Sequence, residues 1–214
     1  MALVKICGLS TPESVAAAIA GGADFLGFVF YPRSPRNVTP EQAAELTKPV
    51  PASVRTVALT VDADDALLEI ILSTMRPGLL QLHGHETPAR VADVRSRFGV
   101  PVMKVLSVAG AEDVAKASDY EPVVDMLMFD AKPPKEMTGA LPGGNALRFD
   151  WQLLAGAHFG KPWLLAGGLT PDNVAEAIRT SGAPGVDVSS GVEDAPGRKS
   201  IPLIQAFLKA AKAA

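Results

Sequence analysis

Cys7 is the only cysteine in the 214-residue chain, and it closes the apolar run from Leu3 immediately before Gly8. A single cysteine excludes an intrachain disulfide and a Cys-based structural zinc site, which needs several thiolates or histidines at set spacings. What remains is a thiol packed as a small hydrophobe or a thiol that works. Asp130 holds a comparable place at the end of MLMFD, an apolar run that would bury any carboxylate set inside it. At the rim of such a run a carboxyl group stays partly desolvated, which suits a general acid near neutral pH; the plainer reading is a cap on the following loop. A thiol and a carboxyl group converging on one substrate would move protons.

Two further stretches, LLAGGLTPDN and GVDVSSGVE, combine Gly167, Gly168 and Gly191 with Ser189 and Ser190. Glycines let the backbone approach an anion closely, a helix opening near Pro171 would point free N–H groups at it, and the two hydroxyls add donors. The same glycines would also serve as simple tight turns. Arg36 lies in FYPRSPRNV, a loop stiffened by Pro32 and Pro35. A rigidly held guanidinium suits bidentate recognition of a carboxylate, and Arg33 competes for the same role. His83 shares its strand face with Gln81, whereas His85 and His158 have no such alignment. No two histidines show the spacing of a catalytic zinc site, so no metal is expected.

These residues need elements to position them, and the chain supplies a repeating pair. Apolar runs from Leu3 to Cys7, Phe25 to Phe30, Arg55 to Val61, Leu79 to His83, Val102 to Ser107, Met126 to Asp130, Trp163 to Ala166 and Val186 to Ser189 read as strands. Helix openings follow at Ser10-Thr11-Pro12-Glu13, Thr39-Pro40-Glu41, Asp62-Ala63-Asp64-Asp65, Glu86-Thr87-Pro88 and Thr170-Pro171-Asp172. Each sets a capping side chain near a proline or carboxylate suited to a first helical turn. Strands alternating with helices imply parallel pairing, and eight such units predict a single (β/α)8 TIM barrel over residues 1–214, near the lower length limit of that fold. One unit breaks the rhythm: in AKPPKEMTGALPGGNALRFDWQLL, Pro133-Pro134 and Gly143-Gly144 forbid an immediate helix. They describe a long loop before a helix near Trp151.

In such a barrel the C-terminal strand ends make the working face. Cys7, Tyr31 to Arg36, Asp62, His83, Asp130, Gly167-Gly168 and Ser189-Ser190-Gly191 all stand there. Lys5 shares the strand face of Cys7, and a buried ammonium needs a partner, which Asp187 on the neighbouring eighth strand can provide. Barrels often hold phosphate between the loops after strands 7 and 8, so the two glycine motifs together imply a phosphorylated ligand.

The remaining composition narrows the classes. Twenty basic against 23 acidic residues leave a net charge of -3, which favours neither a nucleic-acid nor a membrane-surface partner. The opening apolar run is short and interrupted by Lys5, and nowhere do about 18 uninterrupted apolar residues occur, so neither a secretory signal nor a membrane span is expected. A cytoplasmic protein, monomeric or alternatively homodimeric, is the expectation. With 48% hydrophobic residues the chain can bury one sizeable core.

Together these motifs resemble the phosphoribosylanthranilate isomerases of tryptophan biosynthesis from end to end. The resemblance is carried by KICGL, GFVFYPRSPRNV, LLQLHG, FDA, FDW, LLAGGLTPDNV, and GVDVSSGVE with PGRKS behind it. It implies an Amadori rearrangement of N-(5-phosphoribosyl)anthranilate to the 1-deoxyribulose 5-phosphate product, without metal or organic cofactor. It makes Cys7 the general base, whose thiolate would act close to neutral pH, and Asp130 the general acid. Arg36 matches the anthranilate-carboxylate contact, and Gly168, Ser189, Ser190 and Gly191 the phosphate site. One departure is visible, Asn145 and Ala146 in GGNALRFDW, where the family commonly has a Thr-Gly pair. A different phosphosugar isomerase or synthase on the same barrel would lack Cys7 paired with Asp130, and a non-catalytic phosphosugar binder would need no reactive thiol.

Overall fold

The computed structural model describes residues 1–133, 143–144 and 147–214. The bulk of the loop after the sixth strand, Pro134 included, lies outside the described residues, as do Asn145 and Ala146.

Parallel strands covered on both faces are built from nearly continuous apolar runs, and Phe25–Phe30 is buried at every position. Eight such strands pair in chain order into a closed barrel: β1 Leu3–Cys7, β2 Phe25–Phe30, β3 Arg55–Thr60, β4 Leu79–Leu82, β5 Val102–Val108, β6 Met126–Ala131, β7 Trp163–Leu165 and β8 Gly185–Val188. The register sets Lys5 against Asp187, Cys7 against Gly27 and Ser107 against Asp130. Because side chains alternate across a strand, one set fills the barrel and the other meets the helices. Inside, Phe25, Val57, Leu79, Met103, Met126 and Leu164 belong to one apolar cluster. Outside, Ile6, Leu26, Phe28, Leu80 and Phe129 pack with helix residues such as Val15, Leu68, Val91 and Phe207.

The helix openings form as their capping chemistry dictates. Thr11 and Thr39 make reciprocal capping boxes with Ser14 and Gln42 at the starts of α1 Pro12–Ala20 and α2 Pro40–Thr47. Asp64 caps α3 Asp65–Met75, and Thr87 caps α4 Pro88–Phe98. Short helices α5 Ala111–Ala115 and α6 Ala117–Tyr120 follow β5, α7 Val174–Ser181 follows β7, and α8 Ile201–Ala213 closes the ring. No helix among the described residues is long and apolar enough to cross a membrane.

Three details differ from the sequence expectation. The opening at Thr170-Pro171-Asp172 does not start α7, because Asn173 ties a turn first: its Oδ1 accepts from the Thr170 N–H and its Nδ2 donates to the Gly168 carbonyl. The helix therefore begins at Val174, three residues after Pro171. Near Trp151 the chain makes only a 3-10 turn, Trp151–Leu154, with the Asp150 side chain accepting from the Gln152 N–H. Behind the eighth strand lies an unanticipated antiparallel pair, β9 Glu193–Ala195 and β10 Arg198–Lys199, turned by Gly197 at φ 80°.

Candidate active site

The C-terminal strand ends surround a cavity that opens to solvent. Cys7, Arg36, His83, Asp130 and Asp187 line it. So do the loop residues Gly167, Gly168, Ser189, Ser190 and Gly191. The catalytic and ligand-binding residues read from the sequence are thus brought to one chamber, whereas Asp62 stays outside it and pairs with exposed His85. Arg33, the rival of Arg36, lies exposed, and it is not part of the cavity wall.

Cys7 is the last residue of β1, with 3% of its surface exposed. Beneath it, fully buried Lys5 donates to Asp187 Oδ1 at 2.8 Å. Gly27 on β2 makes room for both: a Cβ there would lie 2.9 Å from Lys5 Nζ and 3.1 Å from Cys7 Sγ. Burial disfavours the Lys5 ammonium, yet the charges of Asp187 and Cys7 together outweigh it and hold its pKa above the ordinary value. Burial pushes the Cys7 thiol up; Lys5 pulls it down, Asp187 adds to the rise, and Lys199 sides with Lys5. Desolvation thus outweighs the two ammonium groups and holds the thiol above its ordinary value.

Asp130, 6% exposed, is the penultimate residue of β6. Its Oδ1 accepts from the Ala131 N–H at 2.8 Å, and its Oδ2 lies 3.3 Å from His83 Nε2. That second contact is close without being an aligned hydrogen bond. On the other side of the ring, Gln81 Nε2 lies 3.2 Å from His83 Nδ1. Gln81, His83 and Asp130 thus form a row along the chamber wall. Gly143 covers it, since a Cβ there would lie 2.6 Å from His83 Cε1 and 2.7 Å from Asp130 Oδ2.

The loops after β7 and β8 continue the wall from Asp130, since a Cβ on Gly167 would lie 3.1 Å from Asp130 Oδ1. Gly167 and Gly168 have φ of 91° and 60°, values that favour glycine, and Ser190–Val192 makes one 3-10 turn. The two loops touch where Gly191 meets the Leu169 carbonyl, with no space for a Cβ. Ser189 Oγ donates to the Cys7 carbonyl at 3.2 Å, linking this wall to β1. The glycine backbone and the Ser190 hydroxyl are chemically fit to receive an anion.

Arg36 is clamped. Its Nε donates to Glu193 Oε1 at 2.7 Å and its Nη2 to Glu193 Oε2 at 2.8 Å. Lys199 donates to the same Glu193 Oε1 at 2.7 Å and to the Ser189 carbonyl at 2.8 Å. Burial works against the Glu193 charge, but Arg36 and Lys199 hold its carboxyl below the usual carboxylate range. Burial lowers the Lys199 pKa against the pull of Glu193. Glu193 and Lys199 were absent from the sequence-derived site. The signal for them was Pro196-Gly197, a turn dipeptide set between charged residues just behind the serine-glycine loop.

A (β/α)8 barrel whose mouth gathers ionisable groups beside glycine-serine loops fit to receive an anion belongs with the isomerases of phosphorylated sugars. The family profile for N-(5'phosphoribosyl)anthranilate (PRA) isomerase matches residues 4–210. The chain is 57% identical over 211 residues to the N-(5'-phosphoribosyl)anthranilate isomerase of Parvibaculum lavamentivorans, covering 99% of this chain and 98% of that protein. Its fold superimposes on phosphoribosyl anthranilate isomerase from Thermotoga maritima with a TM-score of 0.87 at 34% identity, each chain covered in full. A phosphoribosyl anthranilate isomerase solved in complex with reduced 1-(o-carboxyphenylamino)-1-deoxyribulose 5-phosphate gives a TM-score of 0.83 at 32% identity, again with both chains covered completely. The chain belongs to the N-(5'-phosphoribosyl)anthranilate isomerase family.

Proposed function

We infer that the chain catalyses the isomerisation of N-(5'-phosphoribosyl)anthranilate in tryptophan biosynthesis, the reaction of its family. The observation that carries the assignment of roles is that Cys7 and Asp130 open on one chamber, whose wall also carries the Arg36 guanidinium and the glycine-serine loops. The ligand is small and phosphorylated.

In this reading the phosphate rests on Gly168, Ser189, Ser190 and Gly191, and the anthranilate carboxylate faces Arg36. Asp130, protonated, gives its proton to the ribose ring oxygen; the C1'–O bond breaks and a protonated Schiff base forms. Cys7, as thiolate, removes the C2' proton, and the electron pair neutralises the iminium to give an enolamine. Tautomerisation then adds a proton at C1' and removes one from the C2' hydroxyl, leaving the ketone. The Cys7 thiol and Asp130 carboxylate return to their starting states by proton exchange with water. Lys5 offsets the thiolate charge during the step, and Asp187 keeps Lys5 in place. His83, positioned by Gln81, stands beside the carboxyl group that donates.

One barrel domain, working as a cytoplasmic monomer, is the proposed unit; sedimentation of the purified chain near 22.3 kDa would support it and a dimer mass would replace it. Generating phosphoribosylanthranilate in situ and following its anthranilate fluorescence tests the activity. The signal should decay faster with enzyme than by spontaneous breakdown, and an equal decay would sink the assignment.

A further inference from the structure

The β9–β10 pair stands outside the barrel sheet, yet it delivers two buried charges to the chamber's edge. The side chains of Arg36 and Glu193 are 6% and 4% exposed, and that of Lys199 is 2% exposed. Glu193 gives both oxygens to Arg36, at Nε and Nη2, and accepts from the Gly197 N–H at 3.2 Å. The turn that Gly197 makes therefore also holds the carboxylate that holds Arg36. The guanidinium is a planar fork, and fixing Nε and Nη2 fixes the direction of Nη1. Gly144, itself on the cavity wall, lies beside Nη1: a Cβ there would come within 2.6 Å of it. One carboxylate between two cations also leaves the cluster with one positive charge, and a monoanion arriving at Nη1 would neutralise it.

We propose that Glu193, anchored by Lys199, is a positioning residue that aims Arg36 and so sets the enzyme's preference for a carboxylate-bearing aglycone. The proposal rests on the reading that Arg36 receives the anthranilate carboxylate. Glu193 does not touch the reacting atoms; it acts through Arg36. Its effect belongs in KM, because an interaction with a group remote from the reacting carbon is equal in ground and transition states. A pure charge role has the opposite sign, since removing the carboxylate would make the site more positive and tighten carboxylate binding.

The test is a double-mutant cycle of Glu193→Gln and Arg36→Met, read by steady-state fluorescence with inorganic phosphate as competing ligand. Glu193→Gln alone should raise KM for phosphoribosylanthranilate about 10-fold, keep kcat within about 3-fold, and leave phosphate inhibition unchanged. In the Arg36→Met background it should add nothing. If Arg36→Met raises KM and Glu193→Gln does not, or if Glu193→Gln raises KM equally in both backgrounds, the positioning role is overturned while the Arg36 assignment stands. If Arg36→Met leaves KM unchanged, the carboxylate assignment falls first and this inference with it. Should Glu193→Gln fail to fold, Glu193→Asp, which keeps the charge and withdraws the oxygens by one methylene, is read in the same cycle against the same outcomes.

Discussion

Lys5 Nζ, fully buried, and Asp187 Oδ1, at the chamber wall, stand 2.8 Å apart across the β1–β8 seam, on the strand face that carries Cys7. The pair controls the thiol from both sides, the ammonium lowering its pKa and the carboxylate raising it. Because burial outweighs the help, kcat/KM should still be rising with pH above neutrality, as the base form of Cys7 accumulates. Asp187→Asn removes the charge that opposes ionisation, so the rising limb should move to lower pH. It also strands the Lys5 ammonium, at a cost of about 3–5 kcal/mol in stability. Paired pH–rate profiles and thermal melts check both; a limb that stays in place would assign the titration to a group other than Cys7.

The same burial gives Cys7 a signature in stability. Its folded pKa is raised, so on increasing pH the unfolded thiol ionises first, at its ordinary value, while the folded thiol keeps its proton. Below that ordinary value the contribution is complete; above it stability falls, with a slope of up to about 1.4 kcal/mol per pH unit, until the folded thiol ionises as well. Cys7→Ala should flatten this part of the alkaline stability profile in denaturant melts between about pH 8 and 10, where the unfolded thiol titrates. The same variant should lose kcat by about 10²-fold or more while still binding ligand. Near wild-type turnover would overturn the base assignment.

Asp130→Asn keeps the shape and the Ala131 N–H contact at Oδ1 but cannot deliver a proton. We expect kcat to fall by about 10²- to 10⁴-fold with little change in KM. If inorganic phosphate inhibition is lost instead, the acid lies elsewhere and Asp130 supports the phosphate wall.

The barrel itself was legible in the sequence, because capping residues and apolar runs are local signals and both recur. Strand limits shifted by a residue or two, as at His83, which starts a loop where a strand end was expected. The capping pattern at Thr170-Pro171 looks the same whether or not Asn173 then closes its own turn, so the start of α7 at Val174 is not legible from it. The chamber's membership was legible too, since strand ends share one face. Its internal wiring was not: Glu193 reaches Arg36 across 157 residues of chain, and no local pattern carries a pairing at that separation. The depth of burial around Cys7 is likewise a property of the closed barrel, which a run of five residues does not show by itself.

Arg36→Met should raise KM for phosphoribosylanthranilate about 10-fold or more, the loss of a charge-assisted hydrogen bond worth roughly 1.5–3 kcal/mol, while kcat holds. Arg36→Lys should recover only part, because an ammonium keeps the charge without the fork that Glu193 grips. Arg33→Met, at an exposed position outside the cavity, should change neither constant. A KM rise in Arg33→Met with none in Arg36→Met would exchange their roles.

The phosphate wall depends on a contact that admits no side chain. Gly191 packs onto the Leu169 carbonyl, so the loop that follows the β7 glycines and the loop that follows β8 meet backbone to backbone. Adding a methyl group there requires one loop to move, and both carry groups assigned to the phosphate. Gly191→Ala should therefore weaken phosphoribosylanthranilate and inorganic phosphate together, each by about 10-fold or more, on the scale of one or two charge-assisted hydrogen bonds. The parallel loss separates this wall from Arg36, whose replacement should leave phosphate inhibition intact. A thermal melt controls for global damage, because Leu169 and Val192 beside the contact belong to the buried apolar cluster. Unchanged phosphate inhibition in a folded Gly191→Ala protein would remove the β7 and β8 loops from the phosphate site.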